Sequence, residues 1–322
     1  MRQFAKPTIV VSKCLEFDAC RYNGEMIPDV TIRNLQPFVT FIPVCPEVEI
    51  GLGTPRETIR IVEENGENRL VQPSTREDVT EKMEQFSNDF LQTISDVDGF
   101  ILKNRSPSCG TRDVKIYSGF EKAPAKGKGS GLFGGAVVKK FSHLPIEEEG
   151  RLSNFIIREH FFTRLFTIAY YKMIKHNKNM KDLVSFQSDN KYLFMAYNQV
   201  KQKELGRIIA NHKNEKIEVV FENYEKTLYE LFMRTPRYTS NVNVCEHIFG
   251  YFKTKLKKQE KDHFIELLQK YAEKKIPLSS LLTILKSWAI RFDEKYLLRQ
   301  TYFEPYPEAL VEISDSGKGR DY

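Results

Sequence analysis

Three cysteines, each set in its own short motif, are the residues of this chain best suited to chemistry. They are Cys14 in Ser12-Lys13-Cys14-Leu15, Cys45 in Val44-Cys45-Pro46-Glu47, and Cys109 in Ser106-Pro107-Ser108-Cys109-Gly110. A fourth, Cys20, opens Cys20-Arg21-Tyr22-Asn23-Gly24. Cys14, Cys45 and Cys109 each follow a run that reads as a buried strand, so their thiolates are expected to converge at one end of a sheet. Thiolates gathered in a cytosolic protein hold a metal or do redox work. Zinc would need four ligands at short spacings, and the chain has neither Cys-x-x-Cys nor a matched histidine pair. Three thiolates far apart in sequence suit an iron–sulfur cluster with one iron left open. A disulfide oxidoreductase fits less well, because five residues separate Cys14 from Cys20 rather than two.

Other polar residues cluster in the same motifs, each with a plainer reading beside the chemical one. Glu47 lies two residues after Cys45 and is either a carboxylate beside a bound cluster or a surface acid. Ser106 and Ser108 precede Cys109 and either serve the site or form a turn. Arg21 and Tyr22 suit an anion or a stacked base, or simply one another. Arg56, in Gly51-Leu52-Gly53-Thr54-Pro55-Arg56, offers a further cation above the same site. Arg21, Tyr22, Arg56 and Ser108 are therefore the candidate substrate contacts.

The elements that must position these residues differ between the two halves. Residues 1–145 read as an α/β domain with a largely parallel sheet. Strands are expected at Pro7–Val11, Phe38–Val44 and Gly99–Lys103, with a hairpin over Glu57–Gln72 turning at Asn65-Gly66. A helix is expected over Thr75–Ile94, capped by Thr75 with Asp78 three residues on. In such sheets ligand sites lie beyond the carboxyl ends of the strands, where Cys14, Cys45 and Cys109 fall. The stretch Lys122–Gly135 reads as a Gly- and Lys-rich loop, without the ending of a phosphate-binding P-loop. Residues 146–322 read as an all-α domain. Glu147, Glu148 and Glu149 stand at the start of a long amphipathic helix. Further helices are expected at about 189–212, 216–233, 239–256, 259–273 and 277–296, and the tail after Glu312 is expected to fray.

The chain has 322 residues, enough for two domains, with 41% hydrophobic and 29% charged residues, as in ordinary soluble proteins. Neither a signal segment nor an apolar run of membrane-spanning length is visible, so a cytoplasmic protein is expected. Residues 1–145 carry 19 Lys and Arg against 19 Asp and Glu, so the whole net charge of +6 falls in 146–322. Lys253, Lys255, Lys257, Lys258 and Lys261 form a dense run beside Tyr251 and Phe252, after Arg234, Arg237 and Tyr238. Such a run is either a solvated helix face or a phosphate-tracking surface. Arg234, Arg237, Lys253, Lys257 and Lys258 are the candidate RNA contacts. Cys245, on an apolar helix face, reads as a small buried hydrophobe.

Taken in order, the motifs at Cys14, Cys20, Cys45, Arg56 and Cys109 resemble the thiouracil desulfidase (TudS-like) family. The second half resembles the all-helical domain often fused to it. That likeness rests on Lys191-Tyr192-Leu193-Phe194-Met195-Ala196-Tyr197-Asn198, Asn241-Val242-Asn243-Val244, His247-Ile248-Phe249-Gly250-Tyr251-Phe252-Lys253 and Tyr302-Phe303-Glu304-Pro305-Tyr306-Pro307, with Glu149-Gly150-Arg151-Leu152 at the junction. The resemblance implies a 4Fe–4S cluster held by Cys14, Cys45 and Cys109, with the fourth iron open to a substrate sulfur. It also implies that Glu47 and Ser106 are the active-site acid and serine. Two-domain members are similar to enzymes that remove sulfur from 4-thiouridine in transfer RNA, whereas single-domain members act on free thiouracil or 4-thiouridine monophosphate. Cys20 departs from many relatives, which carry an apolar residue there. A non-catalytic iron–sulfur protein that binds RNA or senses redox state is the alternative of a different class.

Overall fold

The computed structural model describes residues 2–94, 96–120 and 124–311. They form two compact units, one taking the chain up to Ala169 and again from Ala309, the other Tyr170–Glu308. In the first unit, strands β1 (Thr8–Ser12) and β2 (Thr40–Val44) are joined by helix α1 (Val30–Leu35). Helix α2 (Pro46–Glu49) starts two residues beyond the end of β2. Next come β3 (Arg60–Glu64), β4 (Glu67–Gln72), β5 (Glu77–Asp78), helix α3 (Thr80–Thr93) and β6 (Gly99–Leu102). Strands β7 (Val114–Tyr117) and β8 (Ala125–Gly129), helix α4 (Leu132–Phe141), β9 (Ile146–Glu148) and helix α5 (Glu149–Leu152) follow.

Strands β2, β1, β6 and β9 lie in that order in a wholly parallel sheet. Ile9, Val10, Val11, Phe100, Ile101 and Leu102 have no measurable exposure. Such continuous apolar runs mark strands covered on both faces, as parallel sheets require. The α/β reading of this half and its parallel sheet therefore hold. A second, mixed sheet runs β5-β4-β3-β7-β8. Its β3–β4 hairpin turns at Asn65 (φ 51°) and Gly66 (φ 85°), the left-handed pair that a two-residue hairpin demands.

Two expectations about this half, and one about the start of the second, need correction. The helix expected from Thr75 begins at Thr80, because Glu77–Asp78 pairs with β4 as a short edge strand. The Thr75 hydroxyl instead meets the Gln72 side chain at 2.7 Å, and the Asp78 carboxylate accepts the Thr80 amide at 2.9 Å. The Gly- and Lys-rich stretch is not one loop, since Ala125–Gly129 pairs with β7 and α4 starts at Leu132. The three consecutive glutamates do not open the long helix: Glu147 and Glu148 complete β9 and Glu149 starts α5.

Helix α4 bears directly on the cysteine motif. The Gly131 amide donates to the Gly110 carbonyl at 2.7 Å and the Gly134 amide to the Ser108 carbonyl at 2.9 Å. A Cβ on Gly134 would lie 2.4 Å from the carbonyl oxygens of both Cys109 and Gly110, and one on Gly131 would lie 2.5 Å from that of Ser108. Only glycine allows this backbone-to-backbone approach.

Helix α6 (Phe155–Asn177) contains the division between the units. The second unit is helical: α7 (Met180–Asp189), α8 (Lys191–Tyr197), α9 (Gln199–Ala210), α10 (Ile217–Leu231), α11 (Tyr238–Gly250), α12 (Lys258–Ala272), α13 (Leu278–Arg291) and α14 (Lys295–Leu298). The single helix expected over 189–212 is broken at Asn190 and Asn198. Asn198 has φ −160°, and its side chain accepts the Val200 and Lys201 amides, the geometry of an N-cap. The core of this unit is aromatic, with Tyr171, Tyr224, Phe194, Phe232, Phe252 and Phe264 fully buried. Cys245 sits in that core as expected, its sulfur 3.9 Å from the Tyr302 hydroxyl. Among the described residues no helix is long and apolar enough to cross a membrane. The tail after Glu312 lies outside the described residues.

The packing of α4 predicts that Gly134→Ala destabilises the protein by about 1–3 kcal/mol, the usual range for overpacking. Urea denaturation checks this. A midpoint equal to that of the parent chain would mean that the Cys109 loop does not depend on the close approach.

Candidate active site

A cavity of about 340 Å³ opens beyond the carboxyl ends of β1, β2 and β6. Cys14, Cys20, Cys45 and Cys109 all line it, together with Glu47, Ser106, Ser108, Arg21, Tyr22 and Arg56. The structure thus brings together every candidate residue of the first half. It adds Lys13, Thr58, Ile59, Lys103, Asn104 and Arg105, which sequence reasoning missed. For Lys13, Lys103, Asn104 and Arg105 the available signal was their place directly after β1 and β6.

Local structure aims each thiol. After β1 the chain turns tightly, with the Leu15 amide on the Ser12 carbonyl at 2.9 Å and the Cys14 carbonyl accepting the Ile27 amide at 2.8 Å. Cys45 is the N-cap of α2, and Pro46 at the first helical position sets the turn from strand to helix. Two residues later, in the first turn, comes Glu47. At Cys109 the turn is held by Ser106, whose hydroxyl oxygen accepts the Cys109 amide at 3.0 Å and the Ser108 amide at 3.3 Å. The Ser106 carbonyl takes the Gly110 amide at 2.9 Å. Beyond it, the buried Glu148 carboxylate accepts the amides of Thr111 (2.7 Å) and Arg112 (3.2 Å).

The second feature of the site is a network centred on Glu47. Arg56 Nε donates to Glu47 Oε2 at 2.9 Å and a second guanidinium nitrogen reaches the same oxygen. The Ser108 hydroxyl donates to Glu47 Oε1 at 2.5 Å and lies 3.0 Å from the Ser106 hydroxyl. Arg56 Nη1 also donates to the carbonyls of Cys20 (2.9 Å) and Gly53 (2.8 Å). The Arg56 and Glu47 side chains are only 4% and 13% exposed, so this ion pair is largely shielded from water. Arg56 and Ser108, expected at a substrate, spend their polar atoms on Glu47. Both carboxylate oxygens are held, and the Ser106–Ser108–Glu47 chain of hydroxyls and carboxylate offers a short path for a proton.

All five cysteines are free thiols. Burial pushes the Cys14 thiol up to about 12, with the Cys45 charge adding to it. Burial, then the neighbouring Cys45, pushes Cys20 up to about 12 as well. Cys109 is raised well above the ordinary thiol value by burial, against an opposing hydrogen bond from Ser12 and with Cys14 and Cys45 adding to the rise. The three motif thiols therefore lie within electrostatic reach of one another, and the surroundings of Cys14 and Cys109 disfavour bare thiolates. A positively charged, thiophilic partner would reverse that preference, since metal coordination deprotonates a thiol outright. Among the described residues no three His, Cys, Asp or Glu side chains converge as ligands of a single metal ion.

The candidate RNA contacts do not form one patch. Arg234 and Arg237 precede α11, whereas Lys253, Lys257 and Lys258 follow its other end. A 13-residue helix separates the two groups by roughly 20 Å. All five side chains are exposed. Of the aromatics expected among them, Phe252 is fully buried, and Tyr251 stacks on Tyr296 with ring centroids 6.3 Å apart.

Comparison with known proteins places these features in context. Residues 9–149 match the family model described as 2-thiouracil desulfurase, and residues 191–307 match a family described as a protein of unknown function, DUF1722. The chain is 36% identical over 118 residues to the uncharacterized protein YbbK of Bacillus subtilis (strain 168), covering 34% of this chain and 77% of that protein. It is 23% identical over 156 residues to the uncharacterized protein YbgA of Escherichia coli (strain K12), covering 48% of this chain and 92% of that one. Among solved structures, the 4Fe–4S-dependent thiouracil desulfidase TudS is 25% identical, covering 46% of this chain and 93% of its own, with a TM-score of 0.37.

The buried pair predicts an asymmetric mutational cycle. Arg56→Met strands the Glu47 carboxylate and costs about 3–5 kcal/mol, whereas Arg56→Met with Glu47→Leu costs markedly less. Denaturant titration of the three variants measures this. A double variant as unstable as the sum of the singles would show that the pair is not coupled.

Proposed function

Because this chain belongs to the 2-thiouracil desulfurase family, with a DUF1722 domain after it, we propose that it is a non-redox, hydrolytic desulfidase of thiopyrimidines. Its proposed substrate is 4-thiouridine in transfer RNA, which it converts to uridine. The observation that carries the proposal is the single cavity in which Cys14, Cys45 and Cys109 meet the Arg56-held Glu47. The reaction balances without an oxidant or reductant: a thiocarbonyl and water give a carbonyl and hydrogen sulfide.

The residues fit a 4Fe–4S cluster by the chemistry of the donor set. Four soft thiols line one cavity, Cys20 beside Cys14, Cys45 and Cys109, and no histidine is among its walls. Cys14, Cys45 and Cys109 would hold the cluster, and its open iron would supply a Lewis acid for a soft thiocarbonyl sulfur.

The chain's own residues supply the rest. Glu47 is the proposed general base, taking a proton from the attacking water at a carboxylate oxygen. Arg56 fixes that carboxylate in one orientation, and Ser108 and Ser106 can pass the proton onward to the leaving sulfur. Tyr22 and Arg21 are proposed to face the pyrimidine nucleotide. A base in folded RNA must be unstacked to enter a cavity of this size. The surplus positive charge of the second half is proposed to grip phosphates through Arg234, Arg237, Lys253, Lys257 and Lys258. Their placement at both ends of α11 favours contact with separate phosphates along a duplex over one tight anion site. The expected compartment is the reducing cytoplasm, where thiols stay free.

Free thiopyrimidine nucleotides are the second reading, supported by a cavity large enough for one nucleotide and built from the first unit alone. Salt separates the two. Turnover of thiolated transfer RNA should fall by at least about tenfold between 50 and 200 mM salt, as counterion release requires, while turnover of free nucleotide changes little. Equal salt responses would favour the free nucleotide.

The roles of the two key residue types separate cleanly after anaerobic reconstitution with iron and sulfide. Cys45→Ala should lose iron and turnover together. Glu47→Gln should keep the iron and the cluster's visible absorbance but lose turnover by about 10²–10⁴-fold. Normal turnover by Glu47→Gln would remove it from the mechanism.

A further inference from the structure

Two serine hydroxyls serve the sulfur of Cys109, and they are not equivalent. Ser108 Oγ is 4.0 Å from Cys109 Sγ, but its one proton is committed to Glu47 Oε1 at 2.5 Å. Ser12 is the other. It is the last residue of β1, it lines the cavity, and it is only 1% exposed. Its hydroxyl oxygen accepts the Lys103 amide at 2.9 Å, a bond that ties the end of β1 to the residue after β6.

That bond decides where the Ser12 proton goes. A hydroxyl has one proton to give, and accepting the Lys103 amide leaves it unspent. A buried O–H is seldom left without an acceptor. The acceptor here is the Cys109 sulfur: the Ser12 side chain hydrogen-bonds it, which works against the rise that burial imposes on that thiol. Pairing with Val44 on β2 and the bond to the Lys103 amide hold Ser12 from both sides, so its hydroxyl is fixed in place. The contact is neutral and directional, unlike the Lys103 charge that acts on Cys14. Once Cys109 ligates iron its sulfur is an anion, and hydrogen bonds to such sulfurs are among the levers that set a cluster's potential.

We propose that Ser12 is a positioning residue that donates a hydrogen bond to the Cys109 sulfur and withdraws charge from that cluster ligand. Two effects follow, a higher reduction potential and a more electrophilic open iron. The sign comes from charge alone. Reduction adds an electron to a cluster already held by three thiolates, and a donor stabilises the more negative state more. This deepens the desulfidase reading and rests on it for the cluster, but not for the identity of the substrate.

The test reads the cluster before it reads catalysis. In the anaerobically reconstituted protein, Ser12→Ala should lower the reduction potential by about 59 mV, a tenfold change in the one-electron equilibrium. Ser12→Thr, which keeps the hydroxyl, should stay close to the parent, and Ser12→Val, its isostere without one, should follow Ser12→Ala. A merely structural role would lower the urea midpoint of the Ala and Val variants and leave their potentials unmoved. Electron–nuclear double resonance of the reduced parent, reconstituted in ²H₂O, needs no variant and should show an exchangeable proton coupled to the cluster. Its absence overturns the proposal even if no variant folds. With 4-thiouridine 5′-monophosphate, Ser12→Ala should lower kcat by about 10–100-fold, the usual cost of removing a partner of a metal ligand, with little change in KM. An unmoved potential or an unchanged kcat in a cluster-loaded Ser12→Ala overturns the proposal and leaves the cluster reading intact. A parent protein that takes up no 4Fe–4S cluster overturns both.

Discussion

The desolvation of three thiols at the ends of parallel strands is the constraint on which the rest of the structure turns. Burial raises Cys14 and Cys109 above the ordinary thiol range, with Cys45 adding at both and Cys14 adding at Cys109. An apolar core would accept such thiols as small hydrophobes, as it does Cys245. Here they border an open cavity with a carboxylate and several cations on its walls. That combination is stable as it stands and also primed for a cationic, thiophilic guest. Binding such a guest releases the thiol protons as metal–sulfur bonds form.

The surrounding fold can be understood as support for that arrangement. Parallel pairing of β2, β1 and β6 brings three sequence-distant segments to one edge. Glycines of α4 let a helix lie directly on the backbone of the Cys109 turn. Glu148 and Glu149, at the end of the neighbouring strand and the start of α5, tie down the amides of Thr111, Arg112 and Asn104. Arg56 fastens Glu47 to the loop that carries Cys20. Each of these contacts fixes backbone or orients one side chain, and together they leave the cavity's shape little freedom.

Much of this was legible in the sequence, for identifiable reasons. Buried parallel strands announce themselves as apolar runs, and the residues just after them are at the sheet's carboxyl edge, so the meeting of Cys14, Cys45 and Cys109 around one cavity could be anticipated. The Glu47–Arg56 pair could not, because it depends on the path of the Gly51–Arg56 loop, where Gly51 and Gly53 take positive φ. Strand β8 was hidden because Ala125–Gly129 is an exposed edge with no apolar alternation. The break at Asn198 was hidden because an asparagine within a helical pattern reads the same whether it caps or merely sits there. The basic residues show what sequence order leaves open: Arg234 and Arg237 lie before α11 and Lys253, Lys257 and Lys258 after it, a spacing set by the length of that helix.

The central claim is that water, not an electron donor, replaces sulfur at a site built on three cavity-lining thiols. Single-turnover desulfidation of 4-thiouridine 5′-monophosphate by the anaerobically reconstituted protein in ¹⁸O-labelled water tests it most directly. The account predicts one labelled oxygen in the uridine 5′-monophosphate product and one sulfide released per turnover, with no reductant added. Product without the label, or turnover that occurs only when a reductant is supplied, would contradict it.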